Sequence, residues 1–273
     1  MVCNWYVQTN MSQQNAIKIE KACEKFDYPY RGFKIIPFTN RMPILKAKEP
    51  FVLIGSTTLM NNAYKSRKYK KGLFFNPKKF CPTMYANYFG SDYLNYDMHV
   101  MKIKDVVNFY YQLPLKQEIF IRSNDDSKSI SGGTCLFEDL LEICKNTSEH
   151  YINGDLFTPE SEVCIATYKE INSEWRLFVI NGNVIASSQY SPQITSYVPE
   201  EVKEFGKEQI RKWQPQDVFV LDVCSVNNEF KIVECNCMNG SGFYAADVEE
   251  IVRQISIYQC LKFTEYYAGI QYL

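Results

Sequence analysis

Apolar positions in the first part of the chain switch between two periods. Trp5-Tyr6-Val7 is a short apolar run that reads as a strand, and beyond it Ala16, Ile19, Ala22, Cys23 and Phe26 recur at helical spacing behind Ser12, a residue suited to cap a helix. Phe33 to Pro37 and Phe51 to Ile54 predict two more strands, a helix follows from about Thr57, and Leu73-Phe74-Phe75 predicts another strand. Strands and helices alternating at this spacing predict a small, largely parallel α/β domain.

A second unit is expected from near Leu113. Glu118 to Arg122 reads as a strand, Ser123 to Gly133 as a polar loop, and Phe137, Leu140, Leu141 and Cys144 mark one side of a short helix. After a strand from Val163 to Thr167 the pattern turns antiparallel. Trp175 to Ile180 and Val184 to Ser188 flank Asn181-Gly182, a hairpin signal. Pro192 and Pro199 bracket a loop, and a helix from Pro199 is expected to bury Val202, Phe205, Ile210 and Trp213. Val218 to Val223 and Phe230 to Val233 predict two strands around Val226-Asn227-Asn228-Glu229, and Val248, Ile251, Val252, Ile255 and Tyr258 mark a closing helix. No internal repeat or low-complexity tract interrupts this order.

Composition narrows the picture. The 273 residues are 46% hydrophobic and 22% charged, which suits an ordinary globular chain, and 20 Tyr with 18 Phe favour a sheet-rich one. A formal charge of -1 gives no global basic footprint, so neither a nucleic acid nor an anionic membrane is an expected partner. No apolar stretch approaches the roughly 20 residues that span a bilayer, and Met1 to Asn10 lacks a signal-peptide layout, so a cytoplasmic protein is expected. Ten scattered cysteines read as reduced core thiols, and Cys235-x-Cys237 has no second pair to complete a zinc site. His99 and His150 carry no motif. Lys65 to Lys71 holds five basic residues, either a solvated helix end or a docking surface for an anion.

Chemistry concentrates near the C-terminus. Glu234 and Asn236, two apart on a strand, leave the same face, with Cys235 pointing away. A three-residue connecting loop would put Asp222 opposite Glu234 and cluster all three; a two-residue loop would put Asp222 opposite Val233, facing away. Paired carboxylates are costly to bury without a cation between them, and hard oxygen ligands suit magnesium. The glycine-bearing loop from Ser123 to Gly133 carries a single lysine, Lys128, and can fold over phosphates although it is no Walker loop. Arg176, in Glu174-Trp175-Arg176, offers a fork for phosphate or carboxylate oxygens if it faces that cluster, and little if it pairs with Glu174 or Glu170.

Taken in order, the strand with Arg122 and the loop with Lys128, the strand Val163 to Tyr168, Glu174-x-Arg176, Leu221-Asp222-Val223 and Glu234-Cys235-Asn236 resemble the ATP-grasp superfamily. The likeness is nearest to its divergent stand-alone clade of phages, viruses and bacteria. It covers about residues 115 to 260, ending on Asn239-Gly240-Ser241-Gly242-Phe243-Tyr244. The resemblance implies an α/β and α+β fold in which two α+β lobes clamp ATP. An N-terminal α/β domain over 1–112 would precede an ATP-grasp domain over 113–273, with lobes at about 113–170 and 171–273. Carried onto this chain, it implies phosphate contacts from Arg122 and Lys128, adenine contacts at Thr167, Tyr168 and Lys169, and Leu221 beside the ring. Magnesium would be held by Asp222, Glu234 and Asn236, and Arg176 would stabilise the transferred phosphoryl group.

The implied activity is ATP- and Mg2+-dependent, ADP-forming amide ligation through an acyl phosphate, on a carboxylate and an amine from a peptide, protein or amino acid. A kinase acting on a hydroxyl and a nucleotide-binding interaction protein without turnover are the alternatives. Retention of all three metal-ligand positions favours an enzyme.

Overall fold

The computed structural model describes residues 1–36, 42–125, 132–145, 150–152 and 155–270. In chain order its elements begin with β1 (Asn4–Gln8), α1 (Gln13–Lys25), β2 (Tyr30–Phe33), β3 (Phe51–Ile54), α2 (Thr57–Tyr64) and α3 (Pro82–Phe89). Then come β4 (His99–Lys102), a 3-10 segment (Ile103–Gln112), β5 (Glu118–Ser123), β6 (Gly133–Leu136), α4 (Phe137–Lys145), β7 (His150–Ile152), β8 (Asp155–Phe157) and β9 (Glu162–Thr167). The rest is β10 (Ser173–Ile180), β11 (Asn183–Ser191), α5 (Glu200–Lys212), β12 (Val218–Val226), β13 (Glu229–Asn236) and α6 (Val248–Ile270).

Two compact units share the chain. The first comprises Met1–Asn76, Ser173–Val223 and Cys235–Leu273; the second comprises Pro77–Asn172 and Cys224–Glu234. In the first, β2-β1-β3 form a parallel sheet, as the alternating pattern predicts. Ser12 starts α1 by accepting the Asn15 N–H at 3.3 Å, and Ala16, Ile19, Ala22 and Cys23 are buried. Their core continues through Trp5 and Val7 to Phe178, Val218, Val220 and the Ile251, Val252 and Ile255 face of α6. The second unit has its own sheet, β4-β9-β5-β6, covered by Phe137, Leu140 and Leu141 of α4. β4, at residues 99–102, thus pairs with β9 ahead of Leu113.

Three expectations need correction. The strand predicted at Phe33 to Pro37 lies earlier, at Tyr30–Phe33, and Pro37 is outside the described residues. Leu73 to Phe75 is extended but pairs in no ladder, because the Phe74 N–H donates instead to Oδ1 of Asn239 at 2.6 Å. On α5, Phe205 and Trp213 are only half-buried, whereas Val202, Gly206, Gln209 and Ile210 face inward. Gly206 sets this face: a Cβ there would lie 2.3 Å from Leu177 Cδ1, so the helix approaches β10 through its glycine.

Asn239 holds together three stretches of the first unit. It is fully buried, and its Nδ2 donates to the Leu53 carbonyl at 2.7 Å and the Gly72 carbonyl at 3.1 Å. Asn239→Ala would strand two carbonyls and one N–H in the interior. It is expected to lower stability by about 3 kcal/mol or more, read as a shifted urea midpoint at unchanged slope; a loss below about 1 kcal/mol would mean that water replaces the amide.

Candidate functional site

The two compact units each carry a buried ion pair built from residues singled out in the sequence. In the first unit, Arg176 on β10 and Asp222 on β12 meet side by side. Arg176 Nε donates to Oδ1 of Asp222 at 2.8 Å and its terminal nitrogen to Oδ2 at 2.7 Å, a two-pronged contact that fixes both planes. Asn236 Nδ2 donates to the same Oδ2 at 2.9 Å, so three of the expected site residues converge. Arg176 also donates to the Gly242 carbonyl at 3.2 Å.

Burial by itself would lower the Arg176 pKa, but Asp222 and the nearby tyrosines more than offset it and the guanidinium stays charged. It lies 5.5 Å from the ring centroid of Tyr190 and 5.1 Å from that of Tyr244, two rings stacked with 5.0 Å between centroids. Burial, with Asp222 and Glu174 adding, pushes the Tyr190 hydroxyl far up, so it remains a donor and gives its proton to Glu174 Oε1 at 3.0 Å. Glu174 therefore serves Tyr190, while Arg176 is taken by Asp222. Tyr244 has a positive φ of 48°, uncommon for a bulky residue, and its carbonyl is held by Lys18 Nζ at 2.6 Å.

The connection between β12 and β13 has two residues, Asn227 and Asn228, with φ of 51° and 65°, in place of the three-residue loop that would pair Val226 with Phe230. Such a turn, counted by twos, would aim Asp222 away from this face, yet Asp222 receives Asn236.

In the second unit, Arg122 on β5 donates to Glu234 Oε2 at 2.8 Å, joining an expected phosphate contact to an expected metal ligand. Both side chains are largely buried, at 8% and 17% exposure. Burial pulls the Arg122 pKa down, but Glu234 and two tyrosines, Tyr93 and Tyr85, raise it further, so this cation is also permanent. Its Nε is buried and has no hydrogen-bond partner among the described residues. At the start of the following loop, Asn124 Oδ1 accepts from the Thr83 N–H at 3.2 Å and its Nδ2 donates to Glu162 at 2.6 Å. Lys128 lies outside the described residues.

At the end of β9, Tyr168 N–H donates to the Glu118 carbonyl at 3.2 Å, and Lys169 bridges Asp97 at 2.6 Å and the Thr167 carbonyl at 3.1 Å. Thr167 and Tyr168 are exposed; Leu221, in the first unit, is 1% exposed. No group of three His, Cys, Asp or Glu among the described residues is placed to hold a metal, and the expected set, two carboxylates and an amide, is not of that kind. All ten cysteines are free, and burial pushes the Cys164 thiol up to about 12. No helix among the described residues is long and apolar enough to cross a membrane.

Lys18, Tyr190 and Asp97 were not singled out as site residues by the sequence. Lys18 and Tyr244 are 226 positions apart, and no local pattern announces such a contact.

No curated protein sequence matches the chain. Among solved structures, D-cycloserine synthetase DcsG is similar with a TM-score of 0.57 at 10% identity, over 95% of this chain and 100% of that one. The ATP-grasp ligase PsnB complexed with a minimal precursor gives 0.54 at 10% identity, over 95% and 100%. D-alanine--D-alanine ligase from Bacillus anthracis gives 0.54 at 12% identity, over 86% of each chain. At these identities the likeness establishes the fold, two-lobed ATP-grasp. The family described as an ATP-grasp domain, the third family of its clade, matches residues 91–255, well over half of the sequence, and the chain belongs to it.

Proposed function

We propose that the protein is an ATP- and Mg2+-dependent ligase that joins a carboxylate to an amine through an acyl phosphate. The observation that carries this reading is the convergence of Arg176, Asp222 and Asn236 in one buried cluster. Carboxylate and amide oxygens are the donors magnesium prefers, and with Nδ2 of Asn236 on Asp222, the atom Asn236 would offer a cation is Oδ1. Asp222, Glu234 and Asn236 would hold the metal, which when bound would neutralise charge on the phosphates.

The chain's own groups supply the rest. Arg176 and Arg122 serve as permanent countercharges to Asp222 and Glu234 before nucleotide arrives. Three of the five N–H donors of Arg176 are engaged, and the other two can meet oxygens of the transferred phosphoryl and of the acyl group. The buried Nε of Arg122 and the ammonium of Lys128 are assigned to phosphate oxygens. Backbone groups of Thr167, Tyr168 and Lys169 would bond adenine, with Leu221 packing beside it. The substrates would be amino acids or peptides; among structural neighbours, PsnB is complexed with a precursor peptide, which supports that substrate class.

The test is product analysis with purified protein. ADP and inorganic phosphate appearing only when both a carboxylate and an amine are supplied is the expected result. ADP with a phosphorylated hydroxyl product would replace the ligase by a kinase, and tight ATP binding without turnover would overturn catalysis.

A further inference from the structure

The first unit contains a cavity of about 430 Å³, in the size range of small-molecule sites, lined by none of Arg176, Asp222 or Asn236. Its walls come from α6, from the start of β3 and from residues 67–74, which include part of the basic segment noted in the sequence. Five aromatic rings, Phe51, Phe74, Tyr258, Phe263 and Tyr266, face it. On α6, Tyr258, Lys262 and Tyr266 recur every fourth residue and so share one side of the helix.

The walls are fixed in place. Gln259 Nε2 donates to the Phe51 carbonyl at 2.9 Å and the Lys71 carbonyl at 2.7 Å, and Asn239 holds Gly72 from behind. The cavity is therefore a formed feature of the core edge, and flat rings can stack or meet edge-on against those already lining it.

Charge around the cavity is uneven. Three cations, Arg67, Lys71 and Lys262, face two carboxylates, Glu49 and Asp217, leaving one positive charge in excess. Lys71 is committed to both oxygens of Glu49, at 2.8 and 2.9 Å. Asp217 accepts the Tyr258 hydroxyl at 2.8 Å and lies 3.5 Å from Lys262 Nζ. Arg67, exposed, makes no ion pair or hydrogen bond among the described residues. A guanidinium without a partner, beside an aromatic floor, matches a planar apolar body carrying a carboxylate, which it would hold through two parallel hydrogen bonds. A phosphate dianion suits the site less, because its second charge would meet Glu49 and Asp217.

We propose that this cavity is a binding site for a small aromatic carboxylate, with Arg67 as the residue that selects the acid. Isothermal titration calorimetry with the intact protein tests it, using 3-phenylpropionate, its neutral amide 3-phenylpropionamide, and 2-phenylethyl phosphate. The acid is expected to bind at least roughly tenfold more tightly than the amide, the margin of one charge-assisted contact. Arg67→Gln is expected to remove that margin while leaving the amide's affinity unchanged, and Leu73→Trp, which fills the cavity, is expected to abolish binding of both. No binding of the acid up to about 10 mM would overturn the site. Equal affinities for acid and amide, or an unchanged margin in Arg67→Gln, would overturn the role of Arg67. Tighter binding of the phosphate would overturn the ligand class.

Discussion

Asp222→Ala is expected to destabilise the protein by about 3–5 kcal/mol, the cost of removing one partner from a buried ion pair. Arg176 would be left charged at 9% side-chain exposure, with only the Gly242 carbonyl and two tyrosine rings to receive it. Surface screening offers no discount, since Asp222 is 1% exposed. The measurement is urea unfolding at neutral pH, with the slope checked for two-state behaviour in each unit. The double variant Arg176→Met with Asp222→Leu is expected to lose less than Asp222→Ala alone, because two apolar groups of similar volume need no countercharge. If the double variant lost as much as the sum of the single ones, the pair would be two independent packing residues rather than one electrostatic unit.

That electrostatic unit was partly visible in the sequence. The Glu-x-Asn spacing placed Glu234 and Asn236 on a strand, and the hairpin around Asn181-Gly182 placed Arg176 on its neighbour; the structure has both, with φ of 48° and 77° at the turn. The side-chain partners were not legible. Counting by twos from a turn assumes an unbroken ladder, and the contact between Asp222 and Asn236 across a two-residue turn does not follow from it. β10 and β11 show how freely such shifts occur, with irregularities at Glu174/Trp175 and Phe178/Val179.

Other misreadings share a cause, which is that distant side chains decide local structure. Leu73-Phe74-Phe75 has strand composition, but Asn239, 165 positions from Phe74, takes the hydrogen bond a neighbouring strand would have needed. β4, His99–Lys102, has no buried residue to mark a face, so only its ladder with β9 defines it as a strand. α1, by contrast, was readable because its cap, spacing and buried face are all local.

Glu234→Gln is expected to cut ATP-dependent product formation by about 100-fold or more, on the scale seen when one preorganised charge is removed from a site of this kind. The fold should tolerate it. The amide oxygen can still accept the Arg122 N–H now 2.8 Å from Oε2, and the side chain is 17% exposed, so water can share the loss. The same change makes Arg122 a less neutralised cation, which would strengthen its attraction for nucleotide phosphates while weakening the hold on magnesium. Binding and turnover should then separate: ATP affinity measured without metal held or improved, the magnesium concentration for half-maximal rate raised, and the rate low even at saturating metal. Loss of ATP affinity and rate together would make Glu234 a structural partner of Arg122 alone. A rate within about threefold of the parent would remove Glu234 from the metal set, because a hard divalent cation distinguishes a carboxylate from an amide far more strongly than that.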